Sequence, residues 1–354
     1  MRASAIVPWM EITMISLMGW LPAASESLAA APVHADSRPH LPIPTENIAA
    51  KLQERALPEL IRSLTEPKQA KRLRLVRVIG DIHDHRASPY LVQAYEESAS
   101  EGIRCKLLES LGKLHDPALF GWYLKRLDDP SIGIQCFAIW ALGELRITQS
   151  IEPLRQKIWS PNRYVRMTAI DALGKTGPDP NTASRLIIFL GDADVQIRFL
   201  AAKALSGTAA LDAVPELMRR LHQEPSLDVQ EVLAQAAGHV GGSVAAGHFI
   251  ELLKNPLSRA TDHWAEVGLK AVDPALVIPV IAPYLTGDDF RLKLSASNIL
   301  ADIELVPQRD IGAGWIQIVR QWAQIPAPYT REAAVRLLER INKMEEASKE
   351  GLLQ

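Results

Sequence analysis

"LLESLGKLHDPA", residues 107–118, places a glycine where a helix tolerates one poorly. Leu107, Leu108, Leu111 and Leu114 fall at helical spacing, and Gly112 sits among them at a cost of about 1 kcal/mol relative to alanine. The arrangement returns as "WALGEL" at 140–145 and "DALGKT" at 171–176. Aligned on that glycine, Gly80, Gly112, Gly143 and Gly174 follow one another at 32, 31 and 31 residues. The series runs on less strictly through Ser206 or Gly207 to Gly238. A fixed period in this range marks stacked supersecondary units.

Each unit reads as two helices. In the third, Phe120 to Leu127 is a short first helix, Asp128 to Ser131 a turn, and Ile132 to Leu145 the second helix. The turns recur as "SPNR" at 160, "GDAD" at 191 and "QEPS" at 223, where proline presets φ and Asp, Asn or Ser accepts from the free amides that open the next helix. Seven residues before the glycine stand Cys105, Cys136, Met167 and Phe199. Four before it stand Leu108, Ile139, Ile170 and Ala202, and one before it Leu111, Leu142, Leu173 and Leu205. Leu107, Ala138, Ala169 and Ala201 hold the position five before. Such offsets make one helical face, and no single unit can bury it alone, so neighbouring units must cover it. The glycine falls in the last turn of the second helix. There it permits either close approach of the next repeat or a left-handed exit, and the sequence leaves both open.

The segments "GIRCKLLESLGKL" (102–114), "YVRMTAIDALGKTG" (164–177) and "VQIRFLAAKALSGT" (195–208) resemble the short HEAT-like repeats also found in phycobilisome lyases. The likeness covers residues 56–246 well and 247–344 more loosely. It implies an all-α fold, a right-handed α-solenoid (superhelix) of about eight or nine stacked antiparallel helix pairs. An arginine eight places before the glycine recurs as Arg72, Arg104, Arg166 and Arg198, and becomes Gln135 and Gln230. Such a motif specifies a fold far better than a function.

Ahead of the repeats, Ile12–Leu21 is a ten-residue apolar run followed by small residues up to Ala35, which reads as a secretory signal over 1–35. The run is too short to span a membrane. "DSRPHLPIPTE" (36–46) opens a proline-rich linker and helix start over 36–55, with folded structure from near Ile48, and 345–354 is a polar tail. Export to the periplasm or cell envelope follows, with a cytoplasmic location as the alternative. The chain is 47% hydrophobic and 23% charged with a net charge of -2, a balance that favours a folded core and weakens the case for a polyanion binder. The first repeat is mildly basic, with Arg62, Lys68, Lys71, Arg72, Arg74, Arg77 and Arg86 against Glu59, Glu66, Asp81 and Asp84.

No catalytic, cofactor or metal constellation emerges. Cys105 and Cys136 hold equivalent core positions of adjacent repeats and read as free thiols or, with local tilting, a bridge. His83, Asp84 and His85 suggest a metal cluster, yet His115 and Asp116 repeat the pattern, which makes Asp84 and Asp116 helix caps. Deoxyhypusine hydroxylases, which also use HEAT-like repeats, carry His-Glu dipeptides for paired irons. None of the nine histidines here precedes a glutamate. HEAT-like DNA glycosylases need a basic groove, and the near-neutral charge argues against one.

The expected function is therefore a noncatalytic scaffold or assembly factor that binds protein partners. A bilin-type lyase or other HEAT-like enzyme, and a polyanion or nucleic-acid binder, are the alternatives. Trp122, Tyr123, Trp159, Tyr164, Arg166 and Arg198 are the candidate partner-binding residues, because aromatic and arginine side chains dominate interface hot spots. Gly80, Gly112, Gly143 and Gly174, with Leu111, Leu142, Leu173 and Leu205, are the candidate repeat-packing residues.

Overall fold

The computed structural model describes residues 58, 69–177, 179–208, 210–255, 259–306, 310 and 314–349, and every regular element among them is helical. The expected leader (1–35), linker (36–55) and residues 350–354 of the tail lie outside the described residues, as does most of the opening of the first repeat. Two compact units form. One holds the described residues up to 153 with 159–169, the other 154–158 with 170 onward.

In the first unit α1 (Gln69–Asp81), α3 (Glu101–Lys113) and α5 (Ile132–Glu144) pack in a row as the second helices of successive repeats. The first helices α2 (Ser88–Glu97) and α4 (Phe120–Leu124) pack on α3 and α5. The next pair, α6 (Ile151–Lys157) and α7 (Arg163–Lys175), has residues in both units. In the second unit α8 (Pro180–Phe189) packs on α9 (Val195–Ser206) and α10 (Val214–Gln223) on α11 (Leu227–Lys254), which is followed by α12 (Arg259–Lys270). Two further pairs are α13 (Pro274–Thr286) on α14 (Phe290–Asp302) and α15 (Trp315–Trp322) on α16 (Pro328–Lys349). Helices α9, α11, α12, α14 and α16 make the row. Each unit is thus a length of all-α solenoid.

Capping sets the turns. Ser131 Oγ accepts from the Ile134 amide at 3.3 Å, Asn162 Oδ1 from Tyr164 at 2.9 Å, and Asp194 Oδ1 from Gln196 at 2.9 Å. The turn at 223–226 departs from this rule, since the Glu224 carboxylate accepts from the Ser226 amide at 3.1 Å and the serine side chain makes no cap. Short 3-10 turns, His85–Ala87 and Pro117–Leu119 among them, lead into first helices, and Asp84 and Asp116 cap these two by accepting from Arg86 and Ala118.

Geometry separates the two roles open to the repeat glycine. A Cβ on Gly80 would lie 2.8 Å from Ser110 Cβ, on Gly112 2.3 Å from Trp140 Cζ3, and on Gly174 2.8 Å from Ala204 Cα. Close approach is therefore the glycine's task. The left-handed exit falls three residues later, where φ is 56° at His83, 50° at His115, 51° at Arg146 and 98° at Gly177. Histidine is among the residues that tolerate this region best.

The repeated apolar face is the core. Leu111, Leu142 and Leu205 are 0% exposed and Leu173 1%, while Leu108, Ile139, Ile170 and Ala202 are all 0%. Burial of each large aliphatic side chain contributes about 1.5 to 3 kcal/mol. Polar links add register: Ser110 Oγ donates to Val76 O at 2.9 Å, and Lys113 reaches Asp81 at 2.7 Å, Lys203 Asp171 at 3.1 Å, and Lys270 Asp302 at 3.2 Å.

One joint has no loop. At Gly242 (φ 49°, ψ −125°) the second helix of one repeat turns directly into the first helix of the next, so α11 runs 28 residues with a bend inside it. That backbone region is open only to glycine. The boundary expected between 246 and 247 falls four residues past this bend, within a helix.

Candidate interaction surface

Two of the arginines set eight residues before the repeat glycine, Arg166 and Arg198, reach back to their own hairpin turn, and Arg198 reaches the next repeat as well. Arg166 Nη1 donates to Ser160 O at 2.9 Å and Pro161 O at 3.0 Å. Arg198 Nη1 donates to Asp192 O at 2.9 Å, and its Nε and Nη2 grip the buried Glu224 carboxylate at 2.8 Å each. Gln135 Nε2 reaches Asp129 O at 2.6 Å and Gln230 Nε2 reaches Glu224 O at 2.5 Å. In all four the acceptor lies six residues back, at the hairpin turn. At these four places a donor ties down a turn carbonyl, and Arg198 adds an ion pair to Glu224, so Arg166 and Arg198 already serve the fold while staying half-buried.

The aromatic candidates divide. Tyr123 is 0% exposed and its hydroxyl makes no hydrogen bond to the protein, so it belongs to the core and cannot meet a partner. Burial also pushes its phenol up in pKa. Trp122 is half-buried. Its ring lies 3.3 Å from Arg126 Cζ, and its Nε1 donates to Glu96 Oε1 at 3.1 Å. Arg126 also faces the Tyr95 ring at 4.7 Å and bonds Glu96, so the cluster fastens α2 to α4. Tyr164 is half-buried beside Arg163, whose Cζ lies 5.7 Å from its ring centre. Trp159 is 50% exposed, the most open of the six.

Neither cysteine is bridged, and both are buried, Cys105 at 1% and Cys136 at 2% exposure. Burial pushes their thiols up to about 12 and about 11. Asp84 is committed to Arg86, whose side-chain hydrogen bond holds its carboxyl low. Among the described residues no group of three or more His, Cys, Asp or Glu is placed to hold a metal. In the second unit His222 and His248 meet edge to face at 6.1 Å, with Trp264 at 6.0 Å from His222.

A surface that motif reading missed lies on the first helices of the second unit. Helix α10 keeps a charged outer side, where Arg219 and Arg220 clasp Glu216 and hold its carboxyl at about 2. Helix α13, "PALVIPVIAPYLT", has no charged residue at all. Val277, Ile278, Ile281 and Leu285 are 0% exposed on its inner side, while Leu276 and Val280 stay 42% and 38% exposed. Pro279 and Pro283 share the open side. Beside it Val244 is 69% exposed, and a Cβ on Gly242 would sit 3.4 Å from Leu276. The missing charge was legible in the sequence, because a surface helix without charge departs from the amphipathic rule.

Residues 122–206 match the family model described as HEAT repeats. No curated protein matches the sequence. Among solved structures, an engineered protein is similar at a TM-score of 0.44 and 16% identity, covering 83% of this chain and 90% of that one. The complex of CpcE and CpcF of phycocyanin lyase from Nostoc sp. PCC7120 is similar at 0.44 and 16%, covering 77% and 98%. Human deoxyhypusine hydroxylase in complex with glycerol is similar at 0.30 and 20%, covering 63% and 88%.

Proposed function

We propose, from the match of residues 122–206 to the family model described as HEAT repeats, that the chain is a noncatalytic scaffold or assembly factor that holds a protein partner on the solvent-facing sides of its stacked helices and works in the cell envelope. One observation carries the reading. Helices whose inner faces are closely packed leave large apolar side chains open, and on α13 Leu276 and Val280, 42% and 38% exposed one turn apart, stand together with the exposed Pro279 and Pro283. Apolar surface that the fold itself does not need is the usual mark of a docking face. Stacked repeats suit that work because their faces extend with the number of units. The envelope location rests on the apolar run Ile12–Leu21 and the small residues after it. No helix among the described residues is long and apolar enough to cross a membrane.

The test is affinity capture with the full chain from the envelope fraction of its source cells, followed by titration of the recovered protein. A saturable partner is expected. Absence of any saturable partner, together with a tetrapyrrole or metal retained by the purified chain, overturns the reading in favour of an enzyme. N-terminal sequencing of the mature protein tests export. A start near Asp36 supports it, and a start at Met1 refutes it.

A further inference from the structure

We propose that Gly242 is a hinge at which α11 straightens, and that two copies of the chain then exchange every helix beyond it. Such a dimer goes beyond the scaffold reading and does not depend on it.

Within the 28 residues of α11 only Gly242 leaves helical angles. The space around it is open, since an added Cβ would meet nothing closer than Leu276 Cδ1 at 3.4 Å, so the bend rests on one backbone setting with φ of 49° and ψ of −125°. Glycine adopts right-handed helical angles as readily as this one, and that single change joins 227–241 and 243–254 into one rod. A connection this short, closed by a conformation open to glycine alone, is the kind that invites exchange between copies, because straightening relieves it and leaves the flanking helices as they are.

The two sides of the hinge cannot part and stay uncovered. Before it, Leu221 is 0% exposed and Leu233 1%; after it, Phe249 and Leu269 are 0% exposed. Polar and ring contacts cross the hinge as well. Trp264 Nε1 donates to Gln230 Oε1 at 3.0 Å, and His239 Nε2 lies 2.6 Å from Glu304 Oε2. The His222 ring stands 6.1 Å from His248 and 6.0 Å from Trp264. Each contact pairs a residue before 242 with one after it. A second straightened copy presents these residues in the same order, so every contact is remade between chains, whereas a partner of another sequence would have to reproduce all of them. Because the exchange is reciprocal, it closes as a twofold dimer.

The experiment is size-exclusion chromatography with light scattering on the full chain, refolded from guanidinium at low and at high protein concentration. Dilute refolding should give monomer. Concentrated refolding of the wild type should give a dimer that separates slowly after dilution, since the exchanged helices must unpack first. Gly242→Ala suits the straight helix and not the bend, and should raise the ratio of dimer to monomer at least about tenfold. Gly247→Ala, at helical angles and with nothing within 4 Å of the added carbon, should leave that ratio unchanged. Inserting Gly-Ser-Gly-Ser between Gly242 and Ser243 lets the chain turn back on itself, and should return both the wild type and Gly242→Ala to monomer. A wild type that stays monomeric after concentrated refolding overturns the proposal, as does a dimer that survives the insertion or a monomeric Gly242→Ala with native circular dichroism. Should Gly242→Ala fail to fold, the wild type with and without the insertion still decides.

Discussion

Replacing Gly174 with alanine adds one methyl group where α7 meets α9 most closely. The new carbon would lie 2.8 Å from Ala204 Cα and 2.9 Å from its Cβ, against an optimal carbon–carbon contact of about 3.5 to 4 Å. Neither obstacle is the end of a flexible side chain, so relief requires the two helices to part by several tenths of an ångström. Overpacking of this kind costs about 1 to 3 kcal/mol, and the better helix propensity of alanine returns about 1 kcal/mol. A net loss of up to about 2 kcal/mol follows. Gly247 supplies the control, because it lies inside α11 with nothing within 4 Å of an added carbon. There the same substitution should stabilise by about 0.5 to 1 kcal/mol. Urea unfolding followed by far-ultraviolet circular dichroism measures both, provided the slope m matches wild type, since repeat arrays can unfold piecewise. The two midpoints should move in opposite directions. Gly174→Ala shifting upward alongside Gly247→Ala would refute the close-approach account of the repeat glycine.

Four further outcomes are expected. Arg166→Gln should unfold within about 0.5 kcal/mol of wild type because glutamine makes the same turn bond at 135 and 230, whereas Arg166→Ala should lose about 1 kcal/mol; equal losses in urea titrations would contradict the donor role. Tyr123→Phe removes a buried hydroxyl without a protein partner and should be neutral or stabilising by up to about 1 kcal/mol, so a clear drop in melting temperature counts against it. Both cysteines should resist a thiol reagent in the native protein at mild alkaline pH and react together in guanidinium, given thiols at about 12 and about 11; one fast-reacting thiol contradicts this. His248 is held below its usual pKa, first by burial and then by His222. The unfolded chain thus takes up the proton first on acidification, and stability is full above the unfolded value of about 6.5 and falls as pH drops from there toward the folded value. Nuclear magnetic resonance should show the His248 pKa rising in His222→Gln, and an unmoved titration would remove the coupling.

The architecture was legible because stacking imposes the same contacts on every unit, which prints them at fixed offsets. The residues at one, four and five places before the glycine are buried in repeat after repeat. Direction was harder to read. Trp122 and Tyr123 are neighbours on a five-residue helix, and a rotation of about 100° separates the half-buried ring from the fully enclosed one. For Arg166 and Arg198 the exchange to Gln135 and Gln230 in other repeats marks a shared need for a donor at the turn, a role that spacing alone does not separate from partner binding. "HVGGSV" (239–244) signalled a break, but a helix-to-helix joint without a loop depends on the φ of one glycine and leaves no spacing to find. The strip on α13 escaped because motif reading looks for residues that are present, and its mark is the charges that are not.

The left-handed residue three places after the glycine also bears on how such a chain changes length. Imidazole at 83 and 115, guanidinium at 146 and bare glycine at 177 all accept the bend, so the corner is dictated by the helices on either side of it and the side chain merely complies. Splicing His83 directly to Asp116 would present the incoming helix with the corner it already meets. Whole modules can accordingly be excised or duplicated at that seam without a newly invented hinge, and variants shortened by a single unit should keep their remaining joints intact.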